Sequence, residues 1–303
     1  MQQRVWEMAW LALAALVDPG DEVLIPAPYW VSYPEMVALL DGVPKILKTD
    51  LAGGFKVTPD QLKAAIGRRT VAIILNTPSN PTGVVYTRGE LEALDRVIIE
   101  SGIHLITDEI YERIIYEGAE HVSPAAVSPA LRGRTAVVNG VSKAFSMTGW
   151  RIGYMAAPAD WTGPAVAMQS HLSGNPCSIS QEATLCALGG EDAPIQEMVK
   201  AFSRRRQRVL ALLSEARDLR VVAPMGAFYV FPDFSAYYGR SAGGRTVRGS
   251  QAMAEYLIDE ARVALVPGDA FGADDHLRIS FACADQVIED GLRSLVHALE
   301  KLS

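Results

Sequence analysis

The chain of 303 residues has few cysteines, no repeat and no surplus of basic residues. Its three cysteines, Cys177, Cys186 and Cys283, are widely spaced and odd in number. This pattern fits neither a disulfide framework nor a zinc site, and it predicts reduced thiols in a cytoplasmic protein. The formal net charge of −7 argues against nucleic acid or an anionic membrane as the main partner.

The sequence also lacks an apolar run long enough for a membrane span. The longest run, Met8–Val17, follows Arg4 and has the look of a signal peptide, but a bilayer span requires about 20 apolar residues. The run leads through the turn Asp18-Pro19-Gly20-Asp21 into a strand, without a small-residue cleavage site. We therefore predict a buried helix over Val5–Val17, with secretion as the minor alternative and no membrane partner.

Short strands rich in β-branched residues alternate with amphipathic helices up to about residue 172. This alternation predicts an α/β fold with a mainly parallel central sheet covered by helices on both faces. The predicted strands are Glu22–Ile25, Pro44–Leu47, Val71–Leu75, Ile103–Thr107, Thr135–Val138 and Gly153–Ala157, and the predicted helices are Tyr33–Leu40, Pro59–Ile66, Arg88–Ser101 and Asp160–Leu172.

A second, smaller α/β region is predicted to follow, which divides the chain into a large domain (1–203) and a small C-terminal domain (204–303). The arginine run 204–208 begins a helix through Arg217; it reads as a solvated helix face, since the acidic net charge disfavours a nucleic-acid patch. The glycine-rich segment 239–249 reads as a mobile loop. The other predicted elements are strands near Leu219–Val222, Phe228–Pro232 and Val263–Val266 and helices Gly249–Glu260 and Asp285–Leu302.

Polar groups follow three of the predicted strands. The loop Asn76–Gly83 displays amides and hydroxyls, Asp108 and Tyr111 follow the next strand, and Lys143 follows the strand after that. Ligands of parallel sheets bind at the carboxyl ends of the strands, so these groups are expected at one edge. Glu109 is expected to point to the opposite side of Asp108 because successive side chains of a strand alternate.

Lys143 and Arg151 together indicate a cofactor. A lysine in a partly desolvated pocket has a lowered pKa, and its neutral amine can form a Schiff base with an aldehyde. The planar guanidinium of Arg151 suits a phosphate. Pyridoxal phosphate requires both groups. Taken alone, Lys143 would be interpreted as an exposed loop residue.

The remaining groups of this edge also suit pyridoxal phosphate. A carboxylate such as Asp108 keeps the ring nitrogen protonated, so that the ring accepts electrons. Asn80 and Tyr111 are candidates to hydrogen-bond the phenolic oxygen of the ring. The simpler interpretations are a turn asparagine for Asn80 and core packing for Tyr111.

These segments resemble class I/II aminotransferases of fold type I, and most closely the bacterial aspartate-type subgroup. The resemblance runs through nearly the whole chain in the family's order. The segment Gly140–Gly153 is its most specific part. The other matching segments are 28–36, 76–83, 107–111, 173–176, 224–229 and 277–282.

The resemblance implies a pyridoxal-phosphate-dependent aminotransferase that moves an amino group between an α-amino acid and a 2-oxo acid by a ping-pong mechanism. Lys143 is then the Schiff-base lysine and proton carrier, and Arg151 and Ser142 hold the phosphate. Trp30 stacks on the pyridine ring, Arg278 binds the substrate's α-carboxylate, and Asn80 also contacts the substrate. A lyase or synthase on the same fold and a non-catalytic cofactor-binding domain are the alternatives.

The resemblance implies a homodimer and an N-terminal truncation, since relatives begin roughly 90 residues earlier. The N-terminal arm, part of the small domain, a tyrosine lent across the dimer and a phosphate-binding loop would then be missing. Cofactor retention, dimerisation and turnover depend on these parts. Aspartate and glutamate are the favoured amino donors, with aromatic and neutral amino acids next. The subgroup's lysine for an acidic side chain falls near Gln2, Gln3 and Arg4.

Overall fold

The computed structural model describes residues 5–303. Its largest sheet has six strands. These strands are β1 (Glu22–Ala27), β2 (Val43–Lys48), β3 (Thr70–Asn76), β4 (His104–Asp108), β5 (Thr135–Gly140) and β6 (Gly153–Ala156). Their order across the sheet is β2-β1-β3-β4-β5-β6, and all neighbours are parallel except β5 and β6. The predicted α/β fold with a mainly parallel sheet is confirmed.

Helices cover both faces of this sheet. Alternate side chains of each strand point to opposite faces: Val23 and Ile25 belong to one buried cluster, and Leu24 belongs to another. The first cluster includes side chains of α1 (Val5–Ala14), α2 (Ser32–Ala38) and α6 (Ala159–Leu172), and the second includes those of α3 (Pro59–Ala65), α4 (Arg88–Ser101) and α5 (Pro129–Arg132). The helix predicted over the first apolar run is confirmed as α1, whose Leu11 and Leu13 are buried.

Local signals in the sequence fix the boundaries of α4. The Thr87 hydroxyl accepts a hydrogen bond from the Glu90 backbone N–H, and the Glu90 carboxylate accepts one from the Thr87 N–H. Gly102 ends the helix with a left-handed φ of 71°. These caps return the chain to β4, which carries Asp108 at its carboxyl end.

The rest of the chain builds a second apolar core around a small antiparallel sheet. Its strand order is β10-β11-β7, and a separate hairpin pairs β8 with β9. Phe202, Val209, Tyr256 and Leu295 are among the residues buried in this core. The elements are α7 (Ser178–Gly189), α8 (Ala193–Leu213), β7 (Tyr229–Val230), β8 (Ser241–Ala242), β9 (Arg245–Thr246), α9 (Gly249–Ala261), β10 (Val266–Pro267), β11 (Leu277–Ser280) and α10 (Asp285–Glu300).

Several details differ from the sequence predictions. The short helix α5 was not predicted, and only Val266 of the strand predicted near Val263–Val266 lies in β10. Helix α7 was not predicted, and α8 begins at Ala193 and runs without a break across the predicted boundary between residues 203 and 204. The strand predicted near Leu219–Val222 is reduced to one bridge between Arg220 and Asp233. The segment 239–249, predicted as a loop, contains the β8–β9 hairpin, because Gly243 and Gly244 adopt the positive φ that a tight turn requires.

None of the helices within residues 5–303 combines the length and the apolar character that a membrane span requires.

Candidate active site

One cleft at the carboxyl edge of the large sheet brings together every side chain predicted for the site. Its volume is about 780 Å³, including the open mouth. The predicted residues that line it are Trp30, Asn80, Asp108, Tyr111, Ser142, Lys143, Arg151 and Arg278, and further lining residues are Val5, Trp6, Tyr33, Asn76, Ile110, Thr148 and Tyr229.

Neighbouring strands deliver these groups. Asn76 and Asp108 are paired residues at the ends of β3 and β4. The Asn76 side chain donates to the Asp108 carbonyl oxygen over 2.9 Å, and its own oxygen accepts from the Asn80 backbone N–H over 2.7 Å. The side-chain amide of Asn76 therefore joins the loop of Asn80 to the strand of Asp108.

The loop 76–83 is also fixed against the C-terminal part of the chain. The Gly83 carbonyl oxygen accepts hydrogen bonds from the backbone N–H groups of Met225 and Gly226. Gly83 has a φ of +70°, and a Cβ atom there would lie 2.4 Å from Cβ of Pro224. Only glycine meets both requirements, so the loop conformation that presents Asn80 depends on this residue.

Asp108 is a buried carboxylate held by two donors. The Tyr33 hydroxyl donates to Oδ2 over 2.8 Å, and the Ile110 backbone N–H donates to Oδ1 over 3.1 Å. Burial raises the pKa of Asp108 to about 6, against the opposing effect of these two hydrogen bonds. An adjacent cation would restore the ionised form, as a protonated ring nitrogen would.

Glu109 points away from the cleft, as the alternation of a strand predicts. Its carboxylate lies 2.9 Å from Nε2 of His121 and accepts a hydrogen bond from the Ser123 hydroxyl over 2.8 Å. The two consecutive acids therefore have different surroundings, and only Asp108 faces the cleft.

Lys143 lies beyond β5 with its amine in the same cleft. Burial lowers the pKa of Lys143, and the nearby positive charges of Arg151 and Arg278 lower it further, while Asp108 acts in the opposite sense. Its Nζ lies 5.6 Å from the centre of the Phe228 ring. These surroundings favour the neutral amine more than water does. The neutral amine is the form that reacts with a carbonyl.

Arg278 projects from β11 and is held on three sides. Its Nη1 donates to Oδ1 of Asn80 over 2.9 Å, and its guanidinium lies over the rings of Tyr229 and Phe271, at 4.6 and 5.1 Å from their centres. Its buried Nε makes no hydrogen bond to any of residues 5–303. A partly buried guanidinium that lines the cleft, between two aromatic rings, is suited to bind a carboxylate.

Arg151, Trp30, Tyr111 and Ser142 also line the cleft. Arg151 has a left-handed φ of 59° and donates to the Thr148 carbonyl oxygen. Trp30 packs edge-on against Tyr33, with ring centres 5.4 Å apart. Tyr111 is buried, and its hydroxyl oxygen lies 3.0 Å from that of Tyr229.

Three of the lining residues that were not predicted, Tyr33, Asn76 and Tyr229, have side chains that hydrogen-bond to predicted site residues. Asn76 could have been found, since it is the last residue of a strand that ends at the cleft. Tyr33 and Tyr229 carry no local signal, because their partners Asp108 and Tyr111 lie 75 and 118 positions away in the sequence.

The donor set of the cleft fits pyridoxal phosphate. It combines a buried carboxylate for a ring nitrogen, an amine of lowered pKa for an aldehyde and a guanidinium for a phosphate.

Comparisons with known proteins agree with this chemistry. Residues 7–295 match the family model for aminotransferase class I and II. The chain is 46% identical over 281 residues to the aspartate/prephenate aminotransferase of Cereibacter sphaeroides, covering 92% of this chain and 70% of that one. It is 46% identical over 285 residues to the aspartate aminotransferase of Geobacillus stearothermophilus, covering 94% and 72%.

A solved structure shows the same fold. The aspartate aminotransferase from Rhizobium meliloti superposes with a TM-score of 0.97 at 38% identity, covering 100% of this chain and 76% of that one. The predicted fold type I architecture is confirmed by this match. The chain therefore belongs to the class I and II aminotransferases, and it is a pyridoxal-phosphate-dependent enzyme of that family.

Proposed function

We propose that this aminotransferase moves an amino group between an α-amino acid of the aspartate or glutamate type and a 2-oxo acid, in a ping-pong cycle. The names of the two relatives above support the acidic donor. The observation that carries the site assignment is the cleft in which Lys143, Asp108 and Arg278 meet. When bound, pyridoxal phosphate supplies an aldehyde carbon and an electron-accepting ring.

In this proposal Lys143 binds the cofactor and carries the proton of the reaction. Its Nζ takes a proton from the α-carbon of the substrate and delivers it to the C4′ carbon of the cofactor. A proton carrier works best when its pKa lies near the working pH. Burial and the two neighbouring arginines lower the pKa of Lys143 and so support this role.

Asp108 holds the ring nitrogen in its protonated form. The hydrogen bonds from Tyr33 and from the Ile110 N–H orient its two oxygens, so the carboxylate enters the reaction already aligned. Asn80 and Tyr111 donate to the phenolic oxygen of the ring, and Trp30 packs on the ring's face and limits its tilt.

Two arginines bind the two anionic groups, the cofactor phosphate and the substrate α-carboxylate. Arg151 binds the cofactor phosphate, with Ser142 as an additional donor. Arg278 binds the α-carboxylate that donors and acceptors share, and Asn80 supports it by accepting a hydrogen bond from Nη1. The rings of Tyr229 and Phe271 flank the Arg278 guanidinium and lower the local dielectric. The ion pair between Arg278 and a bound carboxylate is therefore stronger than it would be in water.

We also propose a homodimer in the cytoplasm. The exposed fractions of Ile179 and Leu185 on α7 are 71% and 63%, and that of Val166 on α6 is 63%. Such highly exposed apolar side chains on two consecutive helices support an interaction surface, and a second copy of the chain is its proposed occupant. Free cysteines support the reducing compartment.

The division into a large domain (1–203) and a small domain (204–303) remains part of this proposal. The separate apolar cores of the two sheets support it. Since α8 crosses the boundary, any closing motion must bend at that helix or move it as a unit.

A panel of amino donors tests the function. The protein, supplied with pyridoxal phosphate, is incubated with aspartate, glutamate, phenylalanine and alanine, each with and without 2-oxoglutarate. We expect aspartate to convert the cofactor spectrum without an acceptor and to give glutamate only when the acceptor is added. Without an acceptor, product in excess of one equivalent per cofactor would instead indicate a lyase. Cofactor binding without spectral conversion would indicate a non-catalytic domain. Lys143→Ala is the control.

A further inference from the structure

We infer that Tyr229 is a positioning residue that joins the two halves of the cleft, holding Tyr111 through its hydroxyl and Arg278 through its ring. This role deepens the proposed function and rests on it. Tyr229 is 6% exposed, lines the cleft and touches both residues. Tyr111 follows β4 of the large sheet, whereas Arg278 lies on β11 of the small one.

The contact with Arg278 follows from the small sheet. Ser280 of β11 pairs directly with Tyr229 of β7 in antiparallel register. Arg278, two residues before Ser280, therefore projects from the same face and lies diagonally across from Tyr229, at a separation that a long side chain and an aromatic ring can bridge. The guanidinium carbon lies 4.6 Å from the ring centre, and Phe271 covers it at 5.1 Å from a second direction. This packing fixes the plane of the guanidinium, which a two-bond contact with a carboxylate requires.

The contact with Tyr111 uses the other end of the same side chain. The two hydroxyl oxygens lie 3.0 Å apart, and the rings meet edge to face with centres 5.8 Å apart. If the Tyr111 hydroxyl donated a hydrogen bond to a cofactor oxygen, the Tyr111 oxygen would be left to accept a hydrogen bond from the Tyr229 hydroxyl. The two hydroxyls then form a chain in which each hydrogen bond strengthens the next.

Two substitutions separate the two contacts. Tyr229→Phe removes the hydroxyl and keeps the ring, whereas Tyr229→Leu removes both. Tyr256→Phe is the matched control, because Tyr256 is equally buried and its hydroxyl donates to the Ala298 carbonyl oxygen, with no contact to the cleft. The readouts are the dissociation constant of pyridoxal phosphate, from an absorbance titration, and that of succinate bound to the holoenzyme, from calorimetry. Thermal unfolding of each variant reports a purely structural effect.

We expect Tyr229→Phe to weaken cofactor binding about 2- to 10-fold, the range of one hydrogen bond, and to change succinate binding less than about 2-fold. Tyr229→Leu is expected to weaken succinate binding as well, by about 2- to 30-fold, the range of a cation–π contact. Unchanged succinate binding in Tyr229→Leu would overturn the role of Tyr229, and so would an equal loss of cofactor affinity in Tyr256→Phe and Tyr229→Phe. The proposed function would stand in either case, provided that the wild-type protein binds pyridoxal phosphate and succinate. Failure of the wild-type protein to bind pyridoxal phosphate would overturn both.

Discussion

Replacing Asp108 with asparagine should stabilise the cofactor-free protein at neutral and alkaline pH. Burial raises the pKa of this carboxyl from 3.8 to about 6, so the folded state binds its proton more tightly than the unfolded state does. The rise in this pKa from 3.8 to about 6 corresponds to roughly 3 kcal/mol. Because the folded-state pKa is the raised one, this stability is present below about pH 4 and is lost as the pH rises through 6.

Asparagine is a close match for the geometry. Its oxygen can accept from the Ile110 N–H, and its amide can donate to the hydroxyl of Tyr33, which rotates to accept. The substitution therefore removes the buried charge and keeps two hydrogen bonds.

Urea unfolding at several pH values measures the effect. The difference in unfolding free energy between Asp108→Asn and the wild type should be near zero at pH 4 and should reach up to roughly 3 kcal/mol in favour of the variant at pH 8. Asp60→Asn, in the exposed first turn of α3, is the control. A variant that is no more stable than the wild type at pH 8, or a difference that stays constant from pH 4 to 8, would refute the reasoning.

Three further predictions concern the cofactor, the substrate and the loop. Lys143→Ala should abolish turnover and the absorbance of covalently bound cofactor; a visible spectrum like that of the wild type would contradict the assignment. Arg278→Ala should raise the KM values of amino donor and 2-oxo acid by the same factor, roughly 10- to 100-fold, because both substrates present a carboxylate to Arg278. Steady-state kinetics measure both values, and an increase for one substrate alone would contradict this role. Gly83→Ala should cost roughly 2–4 kcal/mol in chemical unfolding because of its positive φ and its contact with Pro224, whereas Gly89→Ala, whose added Cβ meets no atom within 4 Å, should cost nothing.

The dimer surface gives a separate test. Ile179→Glu and Leu185→Glu place charges at exposed apolar positions of α7 and should shift the protein to monomers in analytical ultracentrifugation. Glu182→Lys changes the charge of the same helix at an exposed polar position and serves as the control. An unchanged sedimentation coefficient in both apolar variants would contradict the proposed interface.

The large sheet was predictable because its periodicity is simple. Strands buried on both faces are short, β-branched and separated by helices with clear caps, such as Thr87 with Glu90. The rule that ligands gather at strand ends then placed Asp108 and Lys143 at one edge. Those inferences needed only local patterns and the order of the strands.

Helix α7 escaped prediction because its pattern is inverted. Ser180 and Thr184 are buried, whereas Ile179, Leu185 and Leu188 are exposed, so apolar spacing gives no indication of the buried face. The small sheet escaped in part because its strands are short: β7 and β10 have two residues each. Contacts such as Tyr33 with Asp108 depend on how distant segments fold together, which no local signal encodes.

The most direct test of the account is to locate the cofactor on the chain. Borohydride reduction fixes pyridoxal phosphate on the amine that holds it, and peptide mass spectrometry then identifies that lysine. We predict a single labelled peptide that contains Lys143, with the label reduced in Asp108→Asn. A label on any other lysine, or equal labelling of several, would contradict the central claim that this amine and this acid form one cofactor site.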